Sequence, residues 1–431
     1  MKISRRNIVL GAGFAGLAKV GSWMRPAAAQ TPIVDEPGAG AKINPPCTRV
    51  TTLNGRTLPF QLIDGVKEFH LAAEEIEHEF APGSTAKCWG YNGSTPGPTI
   101  EAVEGDRIRI LVTNKLPEQT SMHWHGILLP SGMDGIVGLT QPPILPGETW
   151  AYEFTLRQHG THMYHPHADE MTQMALGMMG MFIIHPKAGE PLPIDRDFVI
   201  LLHNWALHPG TYRPDPSIMT EFDLWTFNSK VFPAIDPMVV RSGQRVRIRV
   251  GNLSMWNHPI HLHGHQFHVT GSDGGRWPQP LWRPEVTEIV GVGQTRDIEF
   301  VATPGDWAFH CHMSHHTMNA MGHGVPNTLG VDQSGLETQL HKLLPGYMAM
   351  GQSGMAEHAE MADMMRGPAN TLPMMGGKGP FGSLDMGGMF TVVKVRDEVA
   401  ADYSDPGWYQ HPQGTVARRV TSTPKGKTLE R

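Results

Sequence analysis

Histidine comes in four short clusters along this chain: "HWH" at 123–125, "HPH" at 165–167, "HPIHLH" at 258–263 and "HCHMSHHTMNAM" at 310–321. In an extended strand successive side chains face opposite ways and rise about 3.3 Å per residue, so the outer histidines of an HxH triplet look the same way, roughly 6.6 Å apart. Such a triplet can serve two neighbouring metal ions. A lone triplet is more often a surface pair. Four triplets, two in each half, supply eight convergent imidazoles: His123, His125, His165, His167, His261, His263, His310 and His312.

Cys311 stands between His310 and His312 and therefore projects from the opposite face of its strand. There it meets a different ligand set, with His258, His316 and Met321 as partners. A thiolate, two imidazoles and a weak thioether make up a blue-copper electron-transfer site. The sulfur would hold one ion while its backbone neighbours hold the others, so a covalent route of a few bonds joins the two places.

The elements that must position these groups are duplicated. "EGDRIRILVTNKLPEQTSMHWHG" (104–126) aligns without a gap on "SGQRVRIRVGNLSMWNHPIHLHG" (242–264), nine positions being identical, and "GTHMYHPH" aligns on "GDWAFHCH". Pro166 thus stands where the second copy has Cys311. "RIRILV" and "RVRIRV" alternate with period two, and PG, DG and GG pairs mark turns, which predicts strands rather than helices. The expected fold class is all-β: two Greek-key β-sandwich domains, with an irregular Met-rich insert before the last strand. The boundaries read as a leader at 1–29, a first domain at 45–190, a second at 191–330, the insert at 331–385, a closing strand at 386–397 and a C-terminal tail at 398–431. The insert is rich in Met with His358, and reads either as a Cu(I)-binding cover or as a pliable apolar flap.

Composition agrees with metal chemistry and excludes other partners. Among 431 residues are 24 His and 26 Met but 3 Cys, with a net charge of −6 and 18% charged residues. No basic footprint for nucleic acid is present. "SRRNIVL", a short Gly- and Ala-rich stretch, and small residues at Ala27 to Ala29 resemble a twin-arginine export signal, implying a periplasmic or secreted protein without stable membrane insertion. In an oxidising compartment Cys47 and Cys88 are able to pair, leaving Cys311 as a ligand.

These motifs, together with "YNGSTPGPTI" and "MDGIVGLTQPPILPGE", resemble the multicopper oxidases over about residues 85 to 325. With two cupredoxin-like domains and the cysteine in the second, the chain is most similar to the small, two-domain laccases. The resemblance implies four coppers per subunit: one type 1 copper on His258, Cys311, His316 and Met321; one type 2 on His123 and His261; and a type 3 pair on His125, His165, His167, His263, His310 and His312. It also implies dioxygen as acceptor, with phenols, aromatic amines or Cu(I) as donors whose electrons are expected to enter through the edge of His258 or His316, and a homotrimer sharing its trinuclear cluster between subunits. Asp134 matches the family's acid beside type 2 copper and is expected to donate protons. His315 stands where relatives carry an acid after the HCH triplet, and is a candidate relay or a solvent-facing histidine. A copper-resistance protein that sequesters Cu(I) is the alternative reading. A copper nitrite reductase is the less favoured one, since it needs a type 1 cysteine in the first domain, where Pro166 stands.

Overall fold

The repeated arginine-rich strand takes the same place in both halves, yet its polar face meets different surroundings in each. In the computed structural model, which describes residues 47–208, 210–317, 334–343, 372 and 377–419, the first copy is Arg107–Asn114 and the second Arg245–Asn252. Ile108, Ile110 and Val112 of the first copy are buried on one face. Arg107 and Arg109 on the other reach Glu153 and Glu68 near solvent. This is the half-wet alternation expected of a sheet with one covered face.

The first copy lies between Val66–Ala81 and Thr149–Thr155 in a five-stranded sheet. A four-stranded sheet, ordered Ile100–Val103, Gly180–His185, Gly160–His165 and His123–His125, covers it. Phe69, Trp124, Tyr152, Tyr164 and Phe182 fill the space between. The second copy lies between Arg196–Trp205 and Thr295–Val301 in a seven-stranded sheet. Opposite it runs a five-stranded sheet ordered Met238–Arg241, Phe390–Arg396, Gly305–Cys311, His258–Leu262 and Thr287–Val290. Each sheet of both sandwiches contains a parallel pair, such as Val66–Ala81 with Arg107–Asn114 or Met238–Arg241 with Phe390–Arg396. Parallel neighbours require a crossover, and here the chain makes it through the opposite sheet, the Greek-key connection.

Two placements differ from the sequence reading. Val50–Thr52, which the boundary at 45 assigns to the first domain, pairs parallel with Arg196–Trp205 of the second. Three residues carry too little alternation to reveal a partner. Cys47 and Cys88 are free thiols: Cys88 is buried among Phe80, Met179 and Trp205, whereas Cys47 sits near Glu190 and Arg247. The leader at 1–29, Met321, and all but residues 334–343, 372 and 377–385 of the insert lie outside the described residues. The tail, for which the sequence offers no role, returns over the closing strand through Lys394–Asp405 at 2.6 Å and Tyr409 N–H to Asp306 at 2.7 Å.

The two sandwiches meet through Met163, Met181 and Ile183 of the four-stranded sheet and Val199, Leu201 and Trp205 of the seven-stranded one. This contact buries the arginine face that stays near solvent in the first copy. Arg247 and Arg249 are each 2% exposed, and the carboxylates they need are present. Asp197 accepts from Arg247 Nη2 at 2.6 Å and Arg249 Nε at 2.9 Å. Glu190 lies 2.7 Å from Arg247, and Thr161 of the first sandwich accepts from Arg249 at 2.7 Å. Removing one partner of a buried ion pair leaves an uncompensated charge, so Asp197→Asn is expected to lower unfolding free energy by about 3–5 kcal/mol in denaturant melts. Burial opposes the Asp197 charge, but Arg247 and Arg249 outweigh it and hold the carboxyl down to about 2. A lowered folded-state value makes this stabilisation complete above the ordinary carboxylate range and lost as pH falls through about 2. The Asn variant should lack that stretch of acid dependence; an unchanged melt at neutral pH would show the network to be stability-neutral.

Candidate metal centres

His258 opens the strand His258–Leu262, Cys311 closes the adjacent strand Gly305–Cys311, and His316 lies in the 3-10 turn Ser314–Thr317 that follows. Cys311 Sγ stands 3.5 Å from His258 Nδ1 and 3.4 Å from His316 Nδ1, and the two nitrogens are 3.1 Å apart. The Ser254 hydroxyl donates to Asn252 at 2.6 Å, so at 2.8 Å from His258 Nε2 it accepts that ring's proton and leaves Nδ1 as a bare lone pair. Burial pushes His258 down to about 3 and His316 to about 2, so both rings are neutral. It pushes the Cys311 thiol up to about 12. Two lone-pair nitrogens and a sulfur packed this closely, with no water-facing side, fit one soft or borderline cation that displaces the thiol proton.

The HxH triplets form two quartets. In the first sandwich the His123 ring centroid lies 5.7, 5.2 and 5.6 Å from those of His125, His165 and His167. In the second, His261 lies 4.8, 5.5 and 5.4 Å from His263, His310 and His312. The duplication extends to the groups that orient them. His123 Nδ1–H donates to the Asp134 carbonyl at 2.8 Å, and His261 Nδ1–H to the Val286 carbonyl at 2.6 Å. His165 donates to Pro166 O at 3.0 Å and His310 to Cys311 O at 2.8 Å. Each carbonyl fixes the tautomer and leaves Nε2 as the ligand atom. His125 Nδ1 then faces His165 Nε2 at 3.3 Å, and His263 Nε2 faces His310 Nε2 at 3.1 Å. Burial holds His165 at about 3 and His310 at about 4, leaving neutral imidazoles facing one another where a cation fits.

Among the described residues the three ligand groups are separate: His123, His125 and His165; His261, His263 and His310; and His258, Cys311 and His316. Topology gives the reason. The second quartet sits on the five-stranded sheet, while it is the seven-stranded sheet of that sandwich that packs on the first.

Asp134 is where the motif suggested: its carboxylate lies 3.3 Å from His123 Nδ1, beside the carbonyl that already orients this ring. His315 is not near either quartet's rings; its neighbours are Trp225, Trp256 and His316 on the cysteine side. A relay at the quartets is therefore not what its position offers. The expectation that the edge of His258 or His316 faces donors is also corrected, since both are 0% exposed. The sequence reading missed Glu170, whose carboxylate stands 3.6 Å from His165 Nδ1 and 3.5 Å from His167 Nε2. Its i, i+3 spacing from His167 at a helix start was the available signal. Trp225, stacked on His316 at 4.8 Å and 19°, carried no signal.

Paired Greek-key sandwiches thus carry a cysteine-bis-imidazole set one residue away from one of two histidine quartets, a donor set that suits copper. Residues 72–189 and 209–329 match two models, both described as multicopper oxidase, and the chain belongs to that family. Copper resistance protein A of Escherichia coli is 43% identical over 124 residues, 29% of this chain and 20% of that protein. A probable nitrite reductase-hydroxylamine oxidoreductase fusion protein of Kuenenia stuttgartiensis is 28% identical over 275 residues, 60% of this chain and 31% of that one. The chain thus spans less than a third of either relative. The crystal structure of the blue copper oxidase from Nitrosomonas europaea superposes with a TM-score of 0.55 at 25% identity, covering 76% of this chain and 85% of that chain.

Proposed function

We propose that this protein is an exported oxidase that takes single electrons from phenols, aromatic amines or Cu(I) and delivers them to dioxygen. The observation that carries this reading is the position of Cys311: its sulfur belongs to one ligand set while its neighbours His310 and His312 belong to a quartet. Copper held there supplies one-electron redox chemistry at the cysteine set and the four-electron reduction of dioxygen to water at the histidines. The chain's part is to hold the ligands neutral and oriented, to exclude water from Cys311, and to keep the Asp134 carboxylate beside His123 as a proton source.

The assignment follows the family: His258, Cys311 and His316, with Met321, for type 1; His123 and His261 for type 2; the remaining six histidines for type 3; four coppers per subunit. The quartets of one chain lie on different sheets in separate ligand groups, which supports a trinuclear cluster that takes its second half from another copy, a closed homotrimer satisfying every half-site. Exposed apolar side chains beside each quartet support this. Leu128 and Leu139 flank the Asp134 loop at 60% and 76% exposure, and Val286, His261's carbonyl partner, is 49% exposed. No described helix is long and apolar enough to cross a membrane, and the twin-arginine motif at Arg5 and Arg6 supports delivery to the periplasm.

Purified protein should contain four coppers per subunit and consume dioxygen with 2,6-dimethoxyphenol, with Cu(I), or with both. Retention of copper without oxygen uptake would favour sequestration, the reading that the likeness to copper resistance protein A supports. Nitrite turnover is not expected, because Pro166 occupies the first-domain position of the cysteine.

A further inference from the structure

We infer that single electrons enter the type 1 ligand set through the rings of Trp256 and His315, and that planar aromatic donors dock on this pair. The inference rests on the oxidase reading and adds where the donor sits. His258 and His316 are 0% exposed, so neither imidazole edge meets a donor. His258 Nε2 is already engaged by Ser254. Besides the ring of its fellow ligand His258, His316 is flanked by three rings: Trp225 stacked at 4.8 Å, Trp256 at 5.7 Å and 63°, and His315 at 4.3 Å and 74°. Trp225 is itself 4% exposed and offers no outer face. Trp256 is half-buried and His315 exposed, and their centroids lie 5.8 Å apart. Among the described residues they are the rings that contact His316 without being buried themselves.

Beside them Met255 is 54% exposed, adding a polarisable thioether to the rim. The half-buried indole and the exposed imidazole, at 71° to each other, form a corner suited to a flat ring by offset or edge-to-face contact. His258, Cys311 and His316 would hold a cupric ion, which would supply the one-electron acceptor; a phenol docked on the pair would lose one electron to it and its hydroxyl proton to water, leaving as a neutral phenoxyl radical. An aromatic amine leaves as its radical cation. Dioxygen reoxidises the protein.

The test uses copper-loaded protein without dioxygen, following bleaching of the blue band by p-phenylenediamine in a stopped flow. Trp256→Leu should keep four coppers, the blue band and its reduction potential, while the second-order bleaching rate falls about tenfold, the size of one lost aromatic contact. Trp256→Phe should lose less than about threefold, since a ring remains. Ligand-observed saturation transfer from the fully reduced protein to 1,4-dimethoxybenzene, a redox-inert planar analogue, should be clear for wild type and weak for the Leu variant. His315→Ala, expected to slow bleaching about threefold, stands in if the Leu variant does not fold. An unchanged rate, or a loss accounted for by a shifted potential, would overturn the proposal by making Trp256 a packing residue. A wild-type protein that binds copper but is not blue would instead remove the oxidase reading, and this inference with it.

Discussion

Cys311→Ser is expected to yield a folded, colourless protein whose oxygen uptake is at least about a hundredfold below wild type, a lower bound set by what even outer-shell substitutions cost at metal sites. Cys311 brings the thiol of its ligand set, and its charge transfer to bound Cu(II) would be the source of the colour. A hydroxyl is a hard ligand that keeps its proton and does not replace a thiolate for copper. Folding should survive, because Gly305–Cys311 is hydrogen-bonded on both sides, to His258–Leu262 and Phe390–Arg396. The cost is that of a buried hydroxyl among apolar neighbours, about 1–3 kcal/mol. Since burial holds the free thiol up at about 12, copper loading at this place releases a proton, and retention should tighten as pH rises. His310 keeps its carbonyl partner and His312 its ring neighbours His261 and His310, so three of four coppers should remain. Absorption spectra, electron paramagnetic resonance and a metal count check this together. A blue Ser variant would place the type 1 site elsewhere.

How much of this was legible in the sequence depends on the range of the interaction. The HxH triplets are local: strand periodicity alone aims His123 with His125 and His310 with His312, and the opposite direction of Cys311 follows from the same alternation. The duplication predicted two sandwiches and the equivalence of Pro166 and Cys311. What period two does not reveal is which polar face becomes covered. "RIRILV" and "RVRIRV" look alike, yet Arg109 stays near solvent and Arg249 is buried with Asp197, because only the second strand lies under the other sandwich. Exposure failed for the same reason at His316, where the covering rings come from Trp225 and Trp256, dozens of residues away. Asp134 was found through a motif. Glu170 was overlooked because a lone acid in a helix's first turn reads as a dipole partner before it reads as a histidine's neighbour.

The shared cluster makes the second large prediction, one that a cluster closed within each chain would not satisfy. His123→Ala removes a ligand from the first quartet and His261→Ala one from the second, so each variant alone should be nearly inactive. In a ring every interface joins the first quartet of one copy to the second quartet of the next. Mixing the variants in equal amounts gives four ordered pairings at each interface. Three contain at least one damaged half. The fourth joins the intact first quartet of a His261→Ala chain to the intact second quartet of a His123→Ala chain, so about a quarter of wild-type activity should return after co-refolding with copper. The copper count at the cluster should recover in step, and light scattering should report a trimer for wild type and mixture alike. If each chain closed its own cluster, mixing would restore nothing, because every chain carries one damaged quartet. Failure to recover, with wild type refolding fully beside it, or a fully active monomer, would therefore refute the shared cluster while leaving the ligand assignments intact.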